Sequence, residues 1–153
     1  MKTFKDMVEE IRSEVPEIFP WDLDELIEQK KELLLLDVRE PYEFEARHIE
    51  NSINVPRGLL ETACDYGYHE THPLLAASRE QEIIIICRSG NRSVLAARTM
   101  KEMGYKSVSS LKTGIKGWND SELPLVNLHG ETMDPDEADR YFNAPIRKDQ
   151  LAP

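Results

Sequence analysis

Two cysteines in 153 residues, Cys64 and Cys87, are too few for a disulfide framework. The chain must instead rely on an apolar core, and at this length a single domain buries on the order of 70% of its unfolded surface. Long apolar runs are also missing: the longest, Leu33–Leu36 and Ile83–Ile86, fall far short of the ~20 residues that cross a bilayer. The first residues, MKTFKDMVEEIRSEV, place charges where a secretory leader needs an apolar centre. The expectation is therefore a soluble domain working in the reducing cytoplasm.

Positive charge is in short supply, the formal net charge being −10. Residues 1–32 hold ten acids against five bases and residues 131–153 six against three, while residues 33–130 hold thirteen against eleven. An acidic surface of this kind excludes nucleic acid and anionic membrane as partners, since both require a basic footprint. The near-neutral middle, with Arg39, Arg57, Arg88 and Arg92, suits a small anionic substrate.

What is present is an alternation of helical and strand patterns. Met7, Val8 and Ile11 predict a first helix closed by Pro16, and Asp22 caps a second that runs through Leu23, Leu26 and Ile27. Residues 33–37 read as a strand buried on both faces, Pro41 opens a short helix, and residues 53–55 form a short strand before Pro56. Residues 57–63 are helical, residues 64–73 an exposed loop broken by Gly67 and Pro73, and residues 74–80 a helix. A second buried strand, residues 82–86, a helix ending near Gly104, a weaker strand at 107–111 and a turn into a short helix at 113–118 follow. Four prolines and no sustained periodicity in residues 121–153 predict an irregular tail, wrapped on the surface or partly disordered. Strands separated by helices imply βαβ units, hence an α/β fold whose central, mostly parallel sheet is covered on both faces.

Cys87 sits where such a fold does its chemistry, at the carboxyl end of a buried strand and the mouth of a helix. Only Arg88, Ser89, Gly90, Asn91 and Arg92 lie between the strand and the helix that begins near Ser93. A loop this short curls its N–H groups over the sulfur, and Gly90 permits the positive φ that such a nest requires. Backbone donors, the helix dipole and two guanidinium groups favour a thiolate, so Cys87 is expected to act as a nucleophile. Asp37, ending the neighbouring strand, belongs to the same edge. It either pairs with Arg92 or caps the turn that follows it.

Three ordered signatures carry a resemblance: LLDVREPYEFEARHIENSINVPRG at residues 35–58, IIIICRSGNRS at 83–93 and LKTGIKGW at 111–118. Together they resemble the single-domain rhodaneses, a family of sulfurtransferases, over roughly residues 20–125. The resemblance implies a three-layer rhodanese-like fold, with residues 1–20 as an N-terminal helical extension, 21–125 as the domain and 126–153 as an irregular acidic tail. It also implies that Cys87 accepts a sulfane sulfur from thiosulfate or a related anionic donor, becomes a persulfide, and passes the outer sulfur to cyanide, a thiol or a sulfur-acceptor protein. No metal or organic cofactor is required. Arg88 and Arg92 would offset the charge of a departing sulfite, the loop residues 88–93 would bind the donor, and Arg57 would contact its sulfonate.

Two other readings compete. Cysteine-dependent phosphatases place five residues between nucleophile and arginine, whereas four separate Cys87 from Arg92, so the cradle is suited to sulfur rather than phosphate. Alternatively, the domain presents a Cys87 persulfide to a protein partner with little thiosulfate turnover. Elsewhere the plainer readings prevail: Arg39 as an ion-pair partner, His48 bonded to backbone in its turn, and Trp118 in the core. Cys64, Asp65, His69 and His72 have metal-ligand chemistry but no zinc spacing. Tyr66 and Tyr68 suit a flap beside the pocket, and Cys64 reads as a buried, inert thiol in preference to a resolving one.

Overall fold

A computed structural model describes residues 1–29 and 32–153. Five strands, β1 (Glu17–Ile18), β2 (Leu34–Asp37), β3 (Ile53–Asn54), β4 (Glu82–Ile86) and β5 (Ser107–Leu111), form one sheet in the order β1-β5-β4-β2-β3. Every pairing is parallel, with Asp37 opposite Ile86 in the β2–β4 register. Eight α-helices surround it among the described residues: α1 (Phe4–Ile11), α2 (Pro20–Gln29), α3 (Pro41–Ala46), α4 (Leu60–Ala63), α5 (Pro73–Ala76), α6 (Arg92–Glu102), α7 (Gly114–Asp120) and α8 (Pro135–Phe142).

The two central strands explain the layering. Side chains alternate across a strand, so Leu34, Leu36, Ile83 and Ile85 enter one apolar cluster with Val8 and Ile11 of α1 and Val94, Ala97 and Met100 of α6. Leu35, Ile84 and Ile86 enter the other with Leu23 of α2, Ile115 and Trp118 of α7, and Ala138 and Phe142 of α8. Because both faces are covered, β2 and β4 carry no alternating polar residues, as parallel strands require. Each fully buried isoleucine contributes about 1.5–3 kcal/mol.

Helix starts follow local chemistry. Thr3 and Asp6 form a capping box on α1, with Asp6 N–H donating to Thr3 Oγ1 at 3.1 Å and Thr3 N–H to Asp6 Oδ2 at 2.9 Å. Pro41 opens α3 behind Glu40, whose N–H donates to Glu43 Oε2 at 2.9 Å.

The two ends of the chain hold more regular structure than the sequence predicts. The first twenty residues are not wholly helical, because Glu17 and Ile18 pair with Ser110 and Leu111 as an edge strand of the sheet. The tail is not wholly irregular either. Asp134 caps α8 by accepting from Asp136 N–H at 3.0 Å, Pro135 occupies its first turn, and Ala138 and Phe142 are buried one helical turn apart. Among the described residues no helix is long and apolar enough to cross a membrane.

Candidate active site

The loop that links β4 to α6 is built so that its carbonyls and amides face opposite ways. Ile115 N–H, at the start of α7, donates to Cys87 O at 2.9 Å, and Lys116 N–H donates to Arg88 O at 3.0 Å. On the other side, Gly90 N–H donates to Cys87 Sγ at 3.2 Å and Ser93 N–H, in the first turn of α6, at 3.3 Å. Ser93 Oγ lies 3.3 Å from the same sulfur and 2.6 Å from Ser110 Oγ on β5. Two backbone amides thus donate to Cys87 Sγ, which itself donates to Ser93 Oγ, and only 1% of the residue's surface is exposed.

Two glycines make the ring possible. Gly90 has φ +85°, and a Cβ there would meet Thr113 N at 2.9 Å and Leu111 O at 3.1 Å. Gly114 has φ +62°, and its Cβ would fall 2.5 Å from Cys87 O and from Arg88 C and O. The β4–α6 loop and the β5–α7 turn therefore touch backbone to backbone. Ser89, the exposed residue of the loop, marks its outer surface.

The arginines take partners other than those expected. Asp37 does not pair with Arg92. It takes Arg39 in a fully buried fork, with Arg39 Nε 3.0 Å from Oδ1 and Nη2 2.9 Å from Oδ2, and it caps its own turn through Arg39 N–H at 3.0 Å. The reason is proximity, since a guanidinium two residues ahead reaches the carboxylate without crossing the loop. Arg39 Nη2 also donates to Arg47 O at 2.7 Å. Arg92 binds Glu43 of α3 through both terminal nitrogens, each at 3.0 Å. Burial alone would push the Glu43 carboxyl up, but the Arg92 fork and the Glu40 N–H together hold it below its ordinary value. The Arg92 guanidinium is raised, first by its bonds to Glu43.

Arg57 donates to Glu61 Oε1 and to Thr99 Oγ1, both at 3.0 Å. Arg88 turns to the C-terminal helix. It donates to Phe142 O at 2.9 Å, and its guanidinium carbon stands 5.6 Å from the Tyr141 ring centre and 5.9 Å from that of Phe142. Among the described residues Arg88 has no carboxylate within ion-pair distance. Asn91 Oδ1 accepts from Arg12 Nη2 at 3.0 Å.

The plainer readings stand where expected. His48 Nδ1 donates to Phe44 O at 2.7 Å, and Trp118, 2% exposed, donates to Pro124 O at 2.9 Å. Cys64 is buried, so the exposed loop begins after it, and burial raises its thiol. Asp65 and His69 are exposed while His72 accepts from Leu75 N–H to begin α5, so these groups do not converge. Tyr66 and Tyr68 lie exposed between α4 and α5.

Sequence reasoning missed Glu43, Ser110, Arg12 and Tyr141. Of these only Ser110 left a signal, a polar residue at an inward position of a buried strand. Glu43 is partnered with Arg92 across 49 positions, and Arg12 with Asn91 across 79, distances at which no local pattern operates.

Comparison with known proteins places the chain. A putative sulfur carrier protein of Bacillus subtilis is 35% identical over 106 residues, covering 69% of this chain and 52% of that one. A sulfurtransferase of Allochromatium vinosum is 28% identical over 124 residues, covering 81% of this chain and all of that protein. The chain thus spans about half of the first relative's length. A solved structure from Rhodopseudomonas palustris, of unknown function and described as a possible tyrosine phosphatase, superposes with a TM-score of 0.75 at 28% identity, covering 82% of this chain and 95% of that one. The family model for the rhodanese-like domain matches residues 20–121, and the chain belongs to that family.

Proposed function

We propose that this protein is a sulfurtransferase that carries a sulfane sulfur on Cys87. The observation that carries this reading is the convergence of the Gly90 and Ser93 backbone N–H groups on one sulfur atom. Donors aimed at a sulfur favour its anion, and a thiolate is the form that attacks another sulfur. The Cys87 thiolate forms a bond to the terminal sulfur of the donor, and the donor's own bond to that sulfur breaks. The leaving group, sulfite from thiosulfate or a thiolate from a persulfide, departs with the electron pair. The inner sulfur of Cys87 becomes neutral, and the charge moves to the outer one. A thiol or cyanide then attacks that outer sulfur and returns the Cys87 thiolate, a ping-pong cycle that uses no cofactor.

A second reading, in which the donor is a protein-borne persulfide or the acceptor a protein-borne thiol, is favoured by the arginines. Arg57 and Arg92 are each taken by a carboxylate, and Arg88 leans on α8, which leaves little positive charge free to receive sulfite. A relative described as a putative sulfur carrier agrees with this reading. Phosphoryl transfer fits less well, because the arginine that would cradle a phosphate has both terminal nitrogens on Glu43. A reducing compartment such as the cytoplasm keeps such a thiol available.

Intact mass after incubation with thiosulfate, and separately with a small-molecule persulfide, tests the proposal. Addition of about 32 mass units at Cys87 is the expected result. Faster loading from the persulfide supports the second reading. Turnover of an aryl phosphate without sulfur uptake would overturn both.

A further inference from the structure

Asn91 stands just before α6, the place where an asparagine ordinarily turns its side-chain oxygen onto the N–H of the second or third helical residue. It makes no such bond here, and its backbone, at φ −103° and ψ −51°, is helical where a capping residue is extended. Its Oδ1 is taken instead by Arg12 Nη2 at 3.0 Å. Arg12 lies in the 3-10 turn after α1, outside residues 20–121 that match the family. Its remaining nitrogens are fixed by Glu9 at 3.1 Å and Glu17 at 2.9 Å, which aims Nη2 at the loop. The second residue of α6 is Ser93, and its N–H donates to Cys87 Sγ at 3.3 Å. Of the two amides open to a capping Asn91, those of Ser93 and Val94, the first is the one that the sulfur uses.

We propose that Arg12 is a positioning residue for the thiolate: by occupying Asn91 Oδ1 it keeps the Ser93 N–H on Cys87. Removing Arg12 releases Asn91 to cap α6, and the sulfur loses one of its donors to the helix. The inference rests on Cys87 being a reactive thiolate, as the proposed function requires, and not on the identity of the sulfur donor.

A mutant cycle in the full chain tests it, following alkylation of Cys87 by iodoacetamide against pH and reading the modified peptide by mass so that Cys64 does not contribute. Arg12→Ala is expected to slow alkylation about tenfold. Arg12→Lys, which keeps a donor for Oδ1, restores most of the rate. In an Asn91→Ala background the competing oxygen is gone, so adding Arg12→Ala changes nothing further. A simple loss of positive charge, or general loosening of the N-terminus, would act in both backgrounds. An equal cost in both backgrounds, or no cost in either, overturns the proposal. If Arg12→Ala fails to fold, Arg12→Met keeps most of the stem and takes its place in the cycle. Should the alkylation order hold while no variant, wild type included, takes up sulfur, the sulfur-transfer reading fails and this inference stands.

Discussion

Cys64 and Cys87 are equally hidden, at 0% and 1% exposure, and both belong to the same apolar cluster. Their surroundings differ in kind. Cys64 ends α4, its own N–H donates to Leu60 O, and burial raises its thiol. Cys87 ends a strand, and two amides and a hydroxyl close around its sulfur. Burial is thus common to the two sulfurs, whereas backbone amides donate to that of Cys87.

The comparison breaks most completely by substitution of the two sulfurs. Cys87→Ser is expected to abolish sulfur uptake in an intact-mass assay, whereas Cys64→Ser is expected to load within about twofold of the parent. If Cys64→Ser also fails to load while remaining folded by circular dichroism, the distinction is wrong.

Gly90→Ala makes the Cys87 site resemble that of Cys64. The Cβ meets Thr113 N at 2.9 Å and the φ of +85° is strained for alanine, so the loop shifts and the Gly90 N–H leaves the sulfur. Single-turnover sulfur transfer is expected to fall about a hundredfold, the usual cost of one preorganised donor.

Ser110→Ala is milder. It deprives Ser93 Oγ of its 2.6 Å partner without touching the sulfur, and transfer is expected to fall about tenfold with little change in melting temperature. A loss as large as that of Gly90→Ala would move Ser110 into the same rank as the backbone donors.

The smallest effects are in pH, and they have opposite signs. Burial raises the Cys64 thiol in the folded chain, so the stability it contributes is complete at neutral pH and is lost as pH rises past the ordinary thiol range. The Glu43 carboxyl is held down by Arg92, so its contribution is present above 4.5 and is lost as pH falls through its folded value. Urea titrations at stepped pH check both: Cys64→Ala removes the alkaline slope, and Glu43→Gln the acid one.

Much of this was legible in the chain. The β-branched block at 83–86, the brevity of the loop after it and Gly90 state a strand, a nest and a helix mouth in sequence-local terms. The Asp37 turn was equally local, which is why its cap and its Arg39 partner lie two residues away. What escaped were contacts between distant segments: Arg92 with Glu43, Arg88 with the α8 carbonyl, and Arg12 with Asn91. Tertiary packing decides these, and nothing in the periodicity of either partner announces them. The tail misled for a related reason. Pro135 reads as a breaker when taken alone, but with Asp134 before it and Ala138 and Phe142 after it, it is the first residue of a helix.

One consequence follows from the outermost strands. β1 and β3 are each only two residues long, so the sheet ends on both sides in a stub. An incoming chain finds too few unsatisfied amides there to extend the ladder, and the acidic envelope repels it further. The β-branched strand β4, which would template fibrils if bared, lies at the centre of the sheet, two strands away from either edge.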